Sequence, residues 1–159
     1  MKNETVKKRR PLTQEQIDKR AKAAFKRKIR NVFTGMGFSY VSTNDHEMII
    51  GLRKLEIDAL FIYQNIWLLC EDTTKSANIK DHIRTKNEAF GEVKKNLSAF
   101  REKMVELFPD KTDLIKYDIG RIKVYGLYIS KEEISLSADE CKLFSNLIFV
   151  QPKTLNYFQ

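Results

Sequence analysis

At 159 residues, 42% of them apolar and 31% charged, the chain is long enough to bury one substantial core without staples. No apolar run approaches the roughly 18 residues that cross a membrane, and the charged start Met1–Arg10 has no signal-peptide core behind it; Cys70 and Cys141 form neither a CxxC pair nor a disulfide framework. A cytoplasmic protein with no membrane association is expected, its net charge of +8 concentrated in residues 1–30, where twelve Lys/Arg oppose Glu4, Glu15 and Asp18 (+9), against 17 and 18 (−1) in the other 129.

Residues 1–12 read as a basic flexible arm, 13–151 as one α/β domain, and 152–159 as the start of a linker or following domain. Pro11 and the capping box Thr13-Gln14-Glu15-Gln16 open a helix in which Ile17, Ala21, Ala24, Phe25, Ile29, Val32 and Phe33 recur at helical spacing, and Gly35 and Gly37 end it. Its apolar face is too small for a membrane surface. Arg20, Lys26, Arg27 and Arg30 are therefore the expected contacts to nucleic-acid phosphates. Phe38–Ser42 reads as a short strand and Asn44-Asp45 as a turn; Met48–Leu52 is either a separate strand or the start of the next one, with Gly51 as a bulge.

Glu56–Lys75 is the most informative stretch: two apolar strands joined at Gln64-Asn65, with acids at their far ends. With that dipeptide as the turn, cross-strand partners sum to 129, so Tyr63 faces Ile66, Leu60 faces Leu69 and Asp58 faces Glu71. Both arms are apolar on both faces, the mark of central strands covered on two sides. Ser76 or Asn78 caps a long helix with the stripe Ile79, Ile83, Phe90, Val93, Leu97, Phe100, Met104 and Leu107, bent at Gly91 and ended by Pro109. Ile122–Ile129 is a strong strand, Ser137-Ala138-Asp139-Glu140 a second capping box, and Leu147–Val150 a closing strand. Leu155, Tyr157 and Phe158 are apolar residues without an evident partner and suggest a piece of a longer protein.

Directly opposed strand residues have Cβ atoms about 5 Å apart, where like charges are unfavourable unless neutralised. Glu56, Asp58, Glu71 and Thr73 share one face in this register, with Lys54 and Lys75 facing each other beyond them. A hard cation, Mg²⁺ or Mn²⁺, bound through Asp58 and Glu71 with waters completing its shell, resolves the conflict. Asp72 points to the opposite face and would exchange roles with Glu71 on a one-residue slip. Trp67, in line with Leu69 and Glu71, either walls this pocket or simply packs. His46 and His82 have no zinc-type partners, and Walker A, GxGxxG, GxSxG and HExxH patterns are absent.

Asp58 on one strand, Glu71 on the next and the order α-β-β-β-α-β across roughly residues 14–130 resemble the PD-(D/E)xK nuclease superfamily. The resemblance implies a three-layer αβα restriction-endonuclease-like fold with a central mixed sheet, here with a trailing α-β, and a Mg²⁺-dependent endonuclease cleaving DNA phosphodiester bonds. Asp58 and Glu71 correspond to the metal-holding acids. The family's Lys falls two residues after the second acid, where this chain has Thr73; Lys75 is the first substitute, with Lys86 and Lys54 behind it. The alternative implied by that departure is a catalytically degenerate module that binds DNA or a protein partner, with a homodimer left open. Glu71–Lys75 followed by Asn78–His82 is also similar to the N-terminal regions of DGQHR-type proteins of bacterial DNA modification and defence, although the DGQHR motif itself is absent.

Overall fold

The computed structural model describes residues 9–74, 77–114 and 116–159. Most of the basic arm, Lys75 and the candidate cap Ser76 lie outside them. Helix α1 (Gln14–Gly35) starts at the expected box, Thr13 accepting from the Gln16 N–H and Gln16 accepting from the Thr13 N–H. Phe25, Ile29, Val32 and Phe33 form its buried stripe, while Ile17 at its start is half exposed.

Strands β1 (Ser39–Val41), β2 (Met48–Ile50), β3 (Arg53–Leu55), β4 (Ala59–Tyr63) and β5 (Ile66–Thr73) follow. β2 and β3 form a separate two-stranded hairpin, and Gly51, at φ +60°, belongs to its tight turn rather than to a bulge. β4 and β5 pair antiparallel with Tyr63 opposite Ile66 and Leu60 opposite Leu69, the register read from the turn; Gln64 takes φ +51°. Pairing ends at Ala59 opposite Cys70, so Glu56 lies outside the ladder and does not face Thr73.

The expected long helix is two helices, α2 (Ile79–Lys95) and α3 (Leu97–Leu107). The break falls at Asn96, at φ −121°, and not at Gly91, which stays helical where a Cβ would lie 2.7 Å from the Asn146 side chain. Asn78 caps α2 by position only, in the left-handed region and with no side-chain bond. Two 3-10 turns (Pro109–Leu114, Ile119–Arg121) lead to β6 (Lys123–Ser130); α4 (Ala138–Leu143) opens with the reciprocal Ser137–Glu140 box, and β7 (Leu147–Val150) and α5 (Pro152–Tyr157) complete the chain.

The main sheet runs β1-β4-β5-β6-β7, antiparallel through β5 and parallel from β5 to β7. Alternate residues of its central strands feed two cores. Leu60, Ile62, Trp67, Leu69 and Tyr128 pack with α2, α3 and the β2–β3 hairpin; Phe61, Leu68, Cys70, Leu127 and Ile129 pack with α1. Leu155 is 1% exposed in the second core, so residues 152–157 are a helix of this domain rather than a linker. Tyr157 and Phe158 remain open to solvent. Among the described residues no helix is long and apolar enough to cross a membrane. The domain is mixed α/β with a five-stranded central sheet and helices on both faces.

Candidate functional site

A cleft of about 300 Å³ opens where β4 begins and the parallel strands β5 and β6 end, lined by Lys22, Lys26, Asp58, Glu71, Asp72 and His82 with Asn44, Thr73 and Thr74. The carboxyl ends of parallel strands are where an α/β sheet leaves a crevice between its flanking helices. Asp58 is set by its neighbours: Ile57 is fully buried, its carbonyl accepts from the buried Thr43 hydroxyl at 2.9 Å, and the Asp58 N–H donates to the Cys70 carbonyl at 3.1 Å.

Because the ladder stops one residue after Asp58, its side chain is free of the strand's alternation. Asp58 Oδ2 accepts from the Asp72 N–H at 2.9 Å, and Lys26 Nζ from α1 lies 3.1 Å from Asp58 Oδ1 and 2.9 Å from Asp72 Oδ2. The expected Asp58–Glu71 opposition is thus replaced by an Asp58–Asp72 pair held by one ammonium, with Glu71 beside it on the α2 face. Asp72, the fallback in the sequence, is a full member of the cleft.

Glu71 is met from α2. Lys86 Nζ forms an ion pair with Oε2 at 3.1 Å and donates to the Glu56 carbonyl at 3.0 Å. His82 Nε2 lies 3.2 Å from Oε1, and His82 Nδ1 lies 2.5 Å from the Tyr128 hydroxyl, itself hydrogen-bonded to the Thr73 side chain.

Burial dominates the electrostatics. It pushes the Glu71 carboxyl above the ordinary range, reinforced by Asp58 and opposed by His82 and Lys86. It likewise raises Asp72, with Asp58 adding to the rise and Lys26 and Lys22 opposing it. Burial works to lower Lys26, but Asp72 and Asp58 outweigh it and hold the ammonium above its usual value. Three acids, Asp58, Glu71 and Asp72, thus share one partly dry cleft with Lys22, Lys26 and Lys86.

The other expected site residues lie elsewhere. Glu56 is exposed and contributes only its carbonyl, and Lys75 lies outside the described residues. Lys54 pairs with Ile49 across the small hairpin and its ammonium with Glu47 at 3.0 Å, and it is not among the residues that line the cleft. Trp67 is fully buried against Phe100 and is core, not pocket wall. Of the four expected phosphate contacts, Lys26 is engaged by carboxylates and Arg30 lies over the Tyr40 ring at 4.5 Å, whereas Arg20 and Arg27 are exposed on the outer side of α1. Lys86, one of the later substitutes in the sequence, is the lysine that reaches Glu71, whereas His82 was passed over: only its i, i+4 spacing to Lys86 puts both on one face of α2.

Among the described residues no group of three or more His, Cys, Asp and Glu converges to hold a metal ion by itself. Mg²⁺ asks for less, one or two carboxylates with waters retained. Asp58 and Glu71, which both line the cleft, are the carboxylates that would offer this, with Lys26 Nζ now between Asp58 and Asp72 and Lys86 Nζ 3.1 Å from Glu71 Oε2. Comparison with protein-family models, curated proteins and solved structures finds no match. The fold and site define a mixed α/β domain with an acid–lysine cleft at the carboxyl ends of its parallel strands.

Proposed function

We propose that this is a restriction-endonuclease-like domain that hydrolyses DNA phosphodiester bonds with Mg²⁺ or Mn²⁺. The observation that carries it is the meeting of Asp58 and Glu71 in one cleft with a lysine against each, Lys26 from α1 and Lys86 from α2. The element order and the mixed sheet support the same fold.

In this reading Asp58 and Glu71 would hold the metal, which would polarise the phosphoryl oxygen and lower the pKa of a water. A water oxygen attacks phosphorus, the bond from phosphorus to the leaving sugar oxygen breaks, and a proton reaches that oxygen. Lys86 takes the role of the lysine missing at Thr73: it approaches Glu71 from the helix that follows β5, and its fixed charge stabilises the charge that develops on the phosphoryl group. Lys22 adds positive charge on the α1 wall for the substrate backbone.

The test is nicking of supercoiled plasmid in Mg²⁺, Mn²⁺ or EDTA by the unaltered protein, Asp58→Ala, Glu71→Ala and Lys86→Ala, with DNA binding measured in parallel. Metal-dependent nicking lost in all three variants is the expected result. Binding without metal-dependent nicking in the unaltered protein would instead make this a DNA-binding module, a reading favoured by one observation, that lysines already partner each carboxylate.

A further inference from the structure

Three side chains that the metal ligands and lysines do not account for form a line ending on Glu71. Glu71 and Tyr128 are direct neighbours across the parallel β5–β6 pair and face the same core. Tyr128 is fully buried, with its ring 5.5 Å from that of His82, and its hydroxyl meets both His82 Nδ1 at 2.5 Å and the Thr73 side chain. His82 is 40% exposed at the cleft, with Nε2 3.2 Å from Glu71 Oε1.

We propose that Thr73, Tyr128 and His82 form a hydrogen-bonded relay that positions Glu71, with His82 as the positioning residue and Tyr128 selecting its tautomer.

The chemistry of each group sets the direction. An ionised carboxylate only accepts, so the His82 nitrogen facing Glu71 carries the proton. In a neutral ring the other nitrogen then accepts, and the Tyr128 hydroxyl donates to it. A phenol is protonated at neutral pH, so Tyr128 keeps the proton it donates across the 2.5 Å contact. The Tyr128 oxygen retains lone pairs for the Thr73 hydroxyl. A tyrosine in place of solvent thus locks the imidazole with its Nε2–H toward Glu71, as an outer-shell partner orients a ligand. Each carboxylate oxygen has two lone pairs, so Oε1 can accept from His82 and still face the cleft. The residue found where a nuclease lysine is expected is then not a gap: Thr73 anchors the relay, while the charge comes from Lys86.

The metal arm of this inference rests on the proposed nuclease reading, so the test includes a readout that does not. Long-range ¹H–¹⁵N spectra of the metal-free protein report which His82 nitrogen carries the proton. The expected form is Nε2–H, and Tyr128→Phe, nearly isosteric, is expected to give a mixture of tautomers. Calorimetric Mn²⁺ titration is expected to show weakening of about tenfold in Tyr128→Phe and His82→Ala, with His82→Gln, which keeps a donor toward Glu71, closer to the unaltered protein. Melting curves separate a general loss of folding from this effect. An Nδ1–H tautomer in the unaltered protein, or an unchanged Mn²⁺ affinity in Tyr128→Phe, overturns the relay. If the unaltered protein takes up no Mn²⁺, the metal reading falls; a tautomer that shifts in Tyr128→Phe then still supports the relay, and one that does not overturns it.

Discussion

Lys86 Nζ lies 3.1 Å from Glu71 Oε2, with the two side chains only 15% and 8% exposed. A pair this dry gains less from its attraction than it loses when one member is removed, because the survivor is left charged without a partner. Lys86→Met is expected to destabilise the domain by about 2 kcal/mol, with His82 still supporting Glu71. Adding Glu71→Gln should recover most of that loss. Urea unfolding of the two single variants and the double variant measures the coupling, and additive effects would show the pair to be independent.

The acids also set how stability varies with pH. The carboxyls of Glu71 and Asp72 both sit above their ordinary values of 4.5 and 3.8 in the folded state, burial being the first cause. Between the ordinary and the raised value the folded protein binds more protons than the unfolded one, so stability falls as pH rises through that window. Below the ordinary value the contribution is fully present. Glu71→Gln removes one of these titrations and is expected to flatten the decline from about pH 4.5 upward, whatever its effect on absolute stability through the loss of Lys86's partner. Urea midpoints across the acid-to-neutral range check the sign.

The hairpin register and both capping boxes were legible because they depend on residues close in sequence: a polar dipeptide turn, and a Ser or Thr three residues before Glu or Gln. The cleft was legible only in part. Alternation along a strand places Asp58 with Glu71, but it holds only while the ladder continues, and pairing that stops at Ala59 lets Asp58 turn toward Asp72. Lys26 looked like a surface cation because nothing local to α1 reveals acids 32 and 46 residues away. The helix break at Asn96 was hidden for a related reason. The apolar stripe runs through it without a change of period, and glycine at 91 is the weaker residue by propensity, yet the glycine serves the close approach of the Asn146 side chain, for which a Cβ leaves no room.

Gly126 and Gly35 should respond in opposite ways to alanine. A Cβ on Gly126, in the middle of β6, would lie 2.6 Å from both the Asn146 carbonyl and a Phe90 ring carbon. The backbone of the β7 approach and a fully buried ring have no room to yield, so Gly126→Ala is expected to cost about 2–3 kcal/mol. Gly35, in the last turn of α1, has nothing within 4 Å of that position. Gly35→Ala is expected to be neutral or to stabilise by up to about 1 kcal/mol through helix propensity and a less flexible unfolded chain. Thermal or urea melts of the two variants decide it.

The two sides of α1 make different predictions for DNA. Lys22 lines the cleft beside Lys26, whereas Arg20 and Arg27, seven residues apart, share the exposed side away from the stripe of Phe25, Ile29 and Val32. A phosphate backbone placed at the acids for cleavage runs past Lys22 and leaves the outer arginines untouched. Removing one cation that neutralises a phosphate lowers the dependence of log affinity on log salt by about 0.9. Lys22→Ala is therefore expected to weaken duplex binding and reduce that slope by about this amount, with Arg20→Ala and Arg27→Ala close to the unaltered protein. Affinity measured at several salt concentrations gives the slopes. The opposite pattern, weaker binding in the arginine variants and no change in Lys22→Ala, would put the nucleic acid on the outer face of α1, too far from Asp58 and Glu71 for either acid to act on it.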